Sequence, residues 1–214
     1  MTCCRETLGT VLARSLGVHV PDPALITIDR AFVAANEHIS ALGKRRMKAG
    51  LCFGSRFLGK ELPTPGQDTR FDTESLIDSA VKIYGFDLAF QNCDRQPANP
   101  NCLIKDGHVV AFDFERAFEF LGWRKGAEII PALYPNRMWG ARTHVLYWVA
   151  CKQRAKINAF VDTLGAFDSK AFDAALLSLP SDWSVPAKAI IRHVREMQDG
   201  LPGFRDNLLG VAAP

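Results

Sequence analysis

Between Phe86 and Phe118 the chain reads FDLAFQNCDRQPANPNCLIKDGHVVAFDFERAF, and this stretch constrains the fold more tightly than any other. Two apolar runs, Asn101–Ile104 and His108–Phe112, flank Lys105-Asp-Gly107. Asp-Gly suits a two-residue turn with positive φ at both positions, so the runs are expected to pair as an antiparallel hairpin. A polar loop, Cys93–Pro100, precedes the hairpin, and a short helix, Phe86–Asn92, precedes the loop.

That order clamps Asp94 and Asn99 on a loop and delivers Asp113 from the second strand, inside the run VVAFDF. Asp94 lies five residues before Asn99, the arrangement that phosphoryl transfer requires. One carboxylate faces and deprotonates an attacking hydroxyl, while an amide oxygen and a second carboxylate hold Mg²⁺ against nucleotide phosphates. Three oxygen ligands suit such a hard cation. Arg95 either neutralises charge near the phosphates or braces Asp94. Asn101 ranks behind Asn99 as a ligand, because it starts a strand. The structural alternative for the whole loop is a set of Asx-turns.

The 214 residues suffice for one large domain or two closely packed lobes. No stretch approaches the roughly 20 apolar residues that cross a membrane. The first residues, MTCCRETLGT, lack the apolar core of a secretory signal, so the chain reads as cytoplasmic with no membrane contact. A net charge of +3 is too small to argue for direct nucleic-acid binding. Cys3, Cys4, Cys52, Cys93, Cys102 and Cys151 form no Cys-x-x-Cys pair, and the histidines miss zinc-finger spacing. They read as free thiols in a reducing compartment. The basic run Lys44–Lys48 is either a solvated helix end or an anion contact.

Apolar residues at 8, 11, 12 and 16 predict a helix over 5–17 that Gly17 ends. Ala24–Ile28 and Leu51–Leu58 read as strands, with a helix over 31–42 between them. Gly59–Asp72, rich in proline and glycine, reads as a linker and lobe boundary. Asp72 or Thr73 is placed to cap a helix over Glu74–Tyr84. The remainder reads as helices over about 140–164, 168–178 and 184–199. The expected fold is α+β, mainly α.

The central motif carries a resemblance. Asn92-Cys-Asp-Arg95 with Asn99-Pro-Asn101, then Ala111-Phe-Asp-Phe114 with Ala117-Phe118, is similar to the loop and hairpin of HipA-like kinases. These are bacterial relatives of the serine/threonine kinase and phosphatidylinositol kinase folds. Glu6 with Leu12–Gly17 and Val20-Pro21, Phe53-Gly-Ser-Arg56, and Pro180 with Trp183 also resemble that family. The likeness spans roughly residues 5–200, and the central loop is its chemically specific part.

The resemblance implies a protein-kinase-like two-lobe fold, with 1–62 a partial amino-terminal lobe and 63–214 a helical carboxy-terminal lobe. Asp94 matches the catalytic aspartate, with Arg95 beside it. Asn99 and Asp113 match the metal-binding pair, and Asn101 the rival ligand. Glu6 matches the helix glutamate that pairs with a phosphate-binding lysine. The triplet after Phe112 reads Asp-Phe-Glu, without the usual glycine pivot. Implied are ATP, Mg²⁺ and transfer to a serine or threonine of a protein substrate.

No lysine precedes Glu6. The sequence therefore reads as a truncated amino-terminal lobe, leading to an alternative expectation. It is a pseudokinase or split-kinase subunit, an interaction module of toxin–antitoxin type whose partner chain completes the lobe. On that reading the first helix and strands leave apolar surface uncovered. A lipid or small-molecule kinase is a third option.

His108, His144 and His193 read as structural or surface residues. No Gly-x-Ser-x-Gly elbow supports a hydrolase. The carboxylate beside Cys93 argues against a thiolate nucleophile. Trp139, Tyr147 and Trp148 with Arg142 form a mixed patch, either core packing or a substrate-docking face.

Overall fold

Leu8, Leu12 and Leu16, with Cys4 before them, recur every four residues and so share one side of a helix. In a computed structural model all four are buried, three of them in α1 (Thr2–Ser15) and Leu16 just beyond its end. The structure describes residues 2–36, 48–119, 140–168, 172, 179–180 and 184–212. Gly17, at φ 75°, closes α1, and the Val18 amide donates back to the Ala13 carbonyl at 2.9 Å. The chain is α+β and mainly helical, with two small antiparallel sheets among the described residues.

The first sheet pairs β1 (Pro23–Ile28) with β2 (Gly50–Ser55), Leu25 opposite Phe53 and Ile26 opposite Cys52. Between them, α2 (Arg30–Ala35) starts where Asp29 accepts a bond from the Phe32 amide. No residue of either strand is buried. Leu25, Ile26, Phe32, Leu51 and Phe57 are exposed, Phe57 to 75%. The strands thus meet the expectation of uncovered apolar surface. The first helix does not, because α1 buries its stripe in the core. The rest of the expected helix over 31–42, and Lys44–Met47 of the basic run, lie outside the described residues.

The centre of the molecule is α3 (Glu74–Ala89), capped by the Thr73 hydroxyl accepting from the Leu76 amide. Two helices were expected here, divided near Gly85. One helix is found instead, and a contact explains the glycine. A Cβ on Gly85 would stand 2.4 Å from the Phe160 ring, so glycine admits a neighbouring helix.

The expected hairpin is present as β3 (Cys102–Lys105) and β4 (His108–Ala111), Lys105 opposite His108. Asp106 and Gly107 take φ 50° and 76°, the turn that Asp-Gly favours. The Val109 amide donates to the buried Ser79 hydroxyl at 2.8 Å, fastening the hairpin to α3. Within the expected linker, the Pro63 carbonyl accepts from the Ile104 amide, and just before it the Leu58 carbonyl accepts from Lys105 Nζ.

The long helix expected over 140–164 is divided. Turns over 140–146 lead into α4 (Tyr147–Ala150), followed by α5 (Arg154–Ala166). The Val145 amide donates to the Arg95 carbonyl and the Leu146 amide to His144 Nδ1. Those donors are engaged elsewhere, so a helix cannot run through the segment. The helix expected over 184–199 is α6 (Ser184–Asp199), and α7 (Leu201–Val211) follows it. Trp139, Trp183 and nearly all of 168–178 lie outside the described residues. All six cysteines are free thiols. Among the described residues no helix is long and apolar enough to cross a membrane.

Candidate active site

The polar loop is held from beneath. Asp87, on α3, is 1% exposed and accepts from Arg95 Nε at 2.5 Å, His144 Nε2 at 3.0 Å and Asn92 Nδ2 at 2.8 Å. Burial alone would raise the Asp87 carboxyl's pKa, but Arg95 and His144 outweigh it and hold the value below the ordinary one. Burial also lowers the pKa of His144, against the opposing pull of Asp87. Arg95 is fully buried. Its guanidinium donates to the carbonyls of Asn101 and Phe112 and lies 5.4 Å from the Phe114 ring centre. At this position Arg95 is a brace of the loop backbone, bonded to Asp87 and to hairpin carbonyls rather than to Asp94. It ties the loop to the hairpin and does not face the cleft.

Above the brace, Asp94 Oδ2 accepts from Asn99 Nδ2 at 3.0 Å and from Asn101 Nδ2 at 3.3 Å. The loop's own turn is closed by paired bonds between Gln96 and Asn99. The Phe112 amide donates to the Asn101 carbonyl at 3.0 Å, extending the hairpin register by one step. Asp113, the next residue, is thereby delivered alongside the loop. Asp113 takes φ 59° and Asn101 φ 44°, left-handed values that Asp and Asn tolerate best among ordinary residues. Such strain persists only where surrounding contacts impose it.

Glu6 arrives from α1. Its Oε2 accepts from the Phe114 amide at 2.8 Å. Burial pushes its carboxyl up to about 7, opposed by the Phe114 amide and reinforced by a hydrogen bond and like charge from Asp113. The approach depends on Gly9, where a Cβ would stand 2.6 Å from the Phe114 Cβ. Glu6 and Asp113 form the polar end of a cleft of about 450 Å³, whose apolar walls include Phe53, Leu103 and Phe112. Arg56 also lines it.

The structure thus brings Asp94, Asn99 and Asn101 into one hydrogen-bonded cluster, and Glu6 and Asp113 into another. The fully buried Arg95 lies beneath the loop. Sequence reasoning did not single out Asp87. A carboxylate inside the apolar run Phe86–Phe90 was the available signal, because a buried charge demands a partner. Burial and the Glu119 carboxylate push the Cys93 thiol up to about 12, which disfavours the thiolate there.

Among the described residues no three His, Cys, Asp or Glu side chains gather as a metal cage. Carboxylates and an asparagine amide are oxygen donors of the kind Mg²⁺ takes when phosphates and water complete its shell, with Asn99 in one of the two clusters and Asp113 in the other. The profile of the HipA-like kinase family matches residues 1–121, more than half of the chain. The chain belongs to that family. No curated protein and no solved structure matches it.

Proposed function

We propose that the protein is an ATP- and Mg²⁺-dependent phosphotransferase that acts on a serine or threonine of a protein. The observation that carries this reading is the Asp94 carboxylate, oriented by Asn99 and Asn101, on a loop that the strand leading to Asp113 joins at the Asn101 carbonyl. Asp94 accepts the proton of the acceptor hydroxyl and aligns it for attack. Asn99 and Asp113 are the metal ligands, with Asn101 next in line, and Glu6 supports Asp113 from α1. Bound Mg²⁺ supplies neutralisation of phosphate charge. The apolar cleft walls suit a purine, and Arg56 is a cation at their edge. Arg95 acts through position, fixing the loop that carries Asp94. The six free thiols accord with a cytoplasmic setting.

The first test is calorimetric titration of ATP with and without Mg²⁺. Micromolar, Mg²⁺-dependent binding is expected. Asp94→Ala should then lower phosphoryl transfer by about 10²–10⁴ with binding retained. A normal rate in that variant removes Asp94 from the mechanism.

A second reading is favoured by the β1–β2 ribbon, which has no buried residue and carries exposed Leu25, Ile26 and Leu51. On it, the chain is a split-kinase or pseudokinase subunit, of toxin–antitoxin type, whose partner chain covers that ribbon. A folded sample that binds no ATP would favour it.

A further inference from the structure

A second hollow, of about 330 Å³, borders the same catalytic loop at Pro97, between Asp94 and Asn99. Pro65, Tyr147 and Trp148 give it apolar walls, and Arg142 stands exposed at its side. The walls are built rather than incidental. Trp148 Nε1 donates to the Val145 carbonyl at 3.0 Å, and Phe71 packs edge-on against the indole. The Val145 amide in turn donates to the Arg95 carbonyl at 3.1 Å, inside the catalytic loop. His144, at the base, belongs to the Asp87 network beneath Asp94. The hollow is therefore fixed relative to the residue that would meet an acceptor hydroxyl.

Charge says what it takes. Among the described residues, 140–161 contain Arg142, Lys152, Arg154 and Lys156 and no aspartate or glutamate. Lys156 is paired with Glu74, whereas no carboxylate pairs with Arg142 among the described residues. A slot of proline and aromatic walls, at the small end of ligand-pocket volumes, accepts a side chain. A nucleic-acid surface would need a track of cations along a backbone. One exposed arginine beside such a slot is not that.

We propose that this hollow docks the protein acceptor and selects an acidic segment, an apolar side chain entering between Pro97 and Trp148 while a carboxylate meets Arg142. The proposal rests on the phosphotransferase reading and names the substrate class of that same site.

The test uses the full chain and three fluorescein-labelled probes. One is a peptide with a central serine flanked by tryptophan and glutamates. The second replaces every glutamate by lysine, and the third is an oligouridylate. Fluorescence anisotropy without nucleotide should show the glutamate peptide binding at least ten-fold tighter than the lysine peptide. Arg142→Glu should weaken it about ten-fold, as attraction becomes repulsion at an exposed site, and Arg142→Lys should keep most of the affinity. Equal binding of the two peptides, indifference to Arg142→Glu, or tighter binding of the oligouridylate overturns the proposal. Transfer from ATP to the serine is measured on the same samples. A peptide bound but never phosphorylated refutes the phosphotransferase reading and leaves the docking site. Phosphorylation indifferent to Arg142 does the reverse.

Discussion

Gly9→Ala tests how the site is assembled. The added Cβ would lie 2.6 Å from the Phe114 Cβ, whereas ordinary contact begins at 3.4 Å, so α1 must retreat by about 0.8 Å. Neither atom is the far end of a flexible side chain, so the strain cannot be relieved by a rotamer change. Glu6 lies three residues earlier, on the same side of α1. A retreat of that size stretches its 2.8 Å bond from the Phe114 amide beyond hydrogen-bonding range. Overpacking costs about 1–3 kcal/mol, and the lost bond to a charged or shared carboxyl a similar amount. Alanine returns about 1 kcal/mol through helix propensity, leaving a net loss of about 3 kcal/mol. Gly210→Ala is the control: in α7 nothing lies within 4 Å of its added Cβ, so propensity acts alone. Urea denaturation, read at constant slope, should move the midpoint down for Gly9→Ala and leave it level or raised for Gly210→Ala. ATP affinity in the presence of Mg²⁺ should fall in the first variant only. If Gly9→Ala matches or exceeds the native chain in stability and keeps its ATP affinity, close approach at Gly9 is not what brings Glu6 to Asp113.

Asp87→Ala should destabilise the protein by about 3–5 kcal/mol in urea unfolding, because it leaves the fully buried Arg95 without its counter-charge. Asp162→Ala, which breaks the surface pair with Arg205, should cost at most about 1 kcal/mol. Equal losses would refute the bracing role. His19 stacks on His108 with ring centres 4.0 Å apart, and burial, then His108, then Lys82, lower its pKa. A lowered folded value means the unfolded chain binds more protons just below pH 6.5, so stability contributed by neutral His19 is lost as pH falls through that window. The stability of His19→Gln relative to the native chain should therefore rise on acidification. A difference independent of pH would remove His19 from the titration.

The parts legible in the sequence were those decided locally. Asp-Gly specifies its turn through backbone sterics alone, so β3, β4 and the delivery of Asp113 could be read directly. The stripe of α1 was equally plain, and the cap of α3 was narrowed to Asp72 or Thr73, of which Thr73 is the one found. What escaped depended on distant partners. Gly85 looked like a break because Phe160, which needs its missing side chain, is 75 residues away. The turns over 140–146 looked helical because nothing local reveals that the Val145 amide bonds to Arg95. Arg95 reads from the loop as a group near the phosphates or a brace for Asp94, and nothing local reveals that its partner is the buried Asp87. The catalytic candidates were visible as a pattern, and their supports were not.

One wall of the cleft, Leu103 and Phe112, belongs to the hairpin fastened to α3, while the opposite wall, Phe53 and Ser55, belongs to a ribbon with no buried residue. Opening free energy follows burial, so the cleft straddles a gradient in local stability. A ligand reaching both walls joins the loosely held wall to the firmly held one. Part of its binding free energy then goes into ordering the ribbon, and affinity in this cleft is set as much by that ordering as by the contacts themselves.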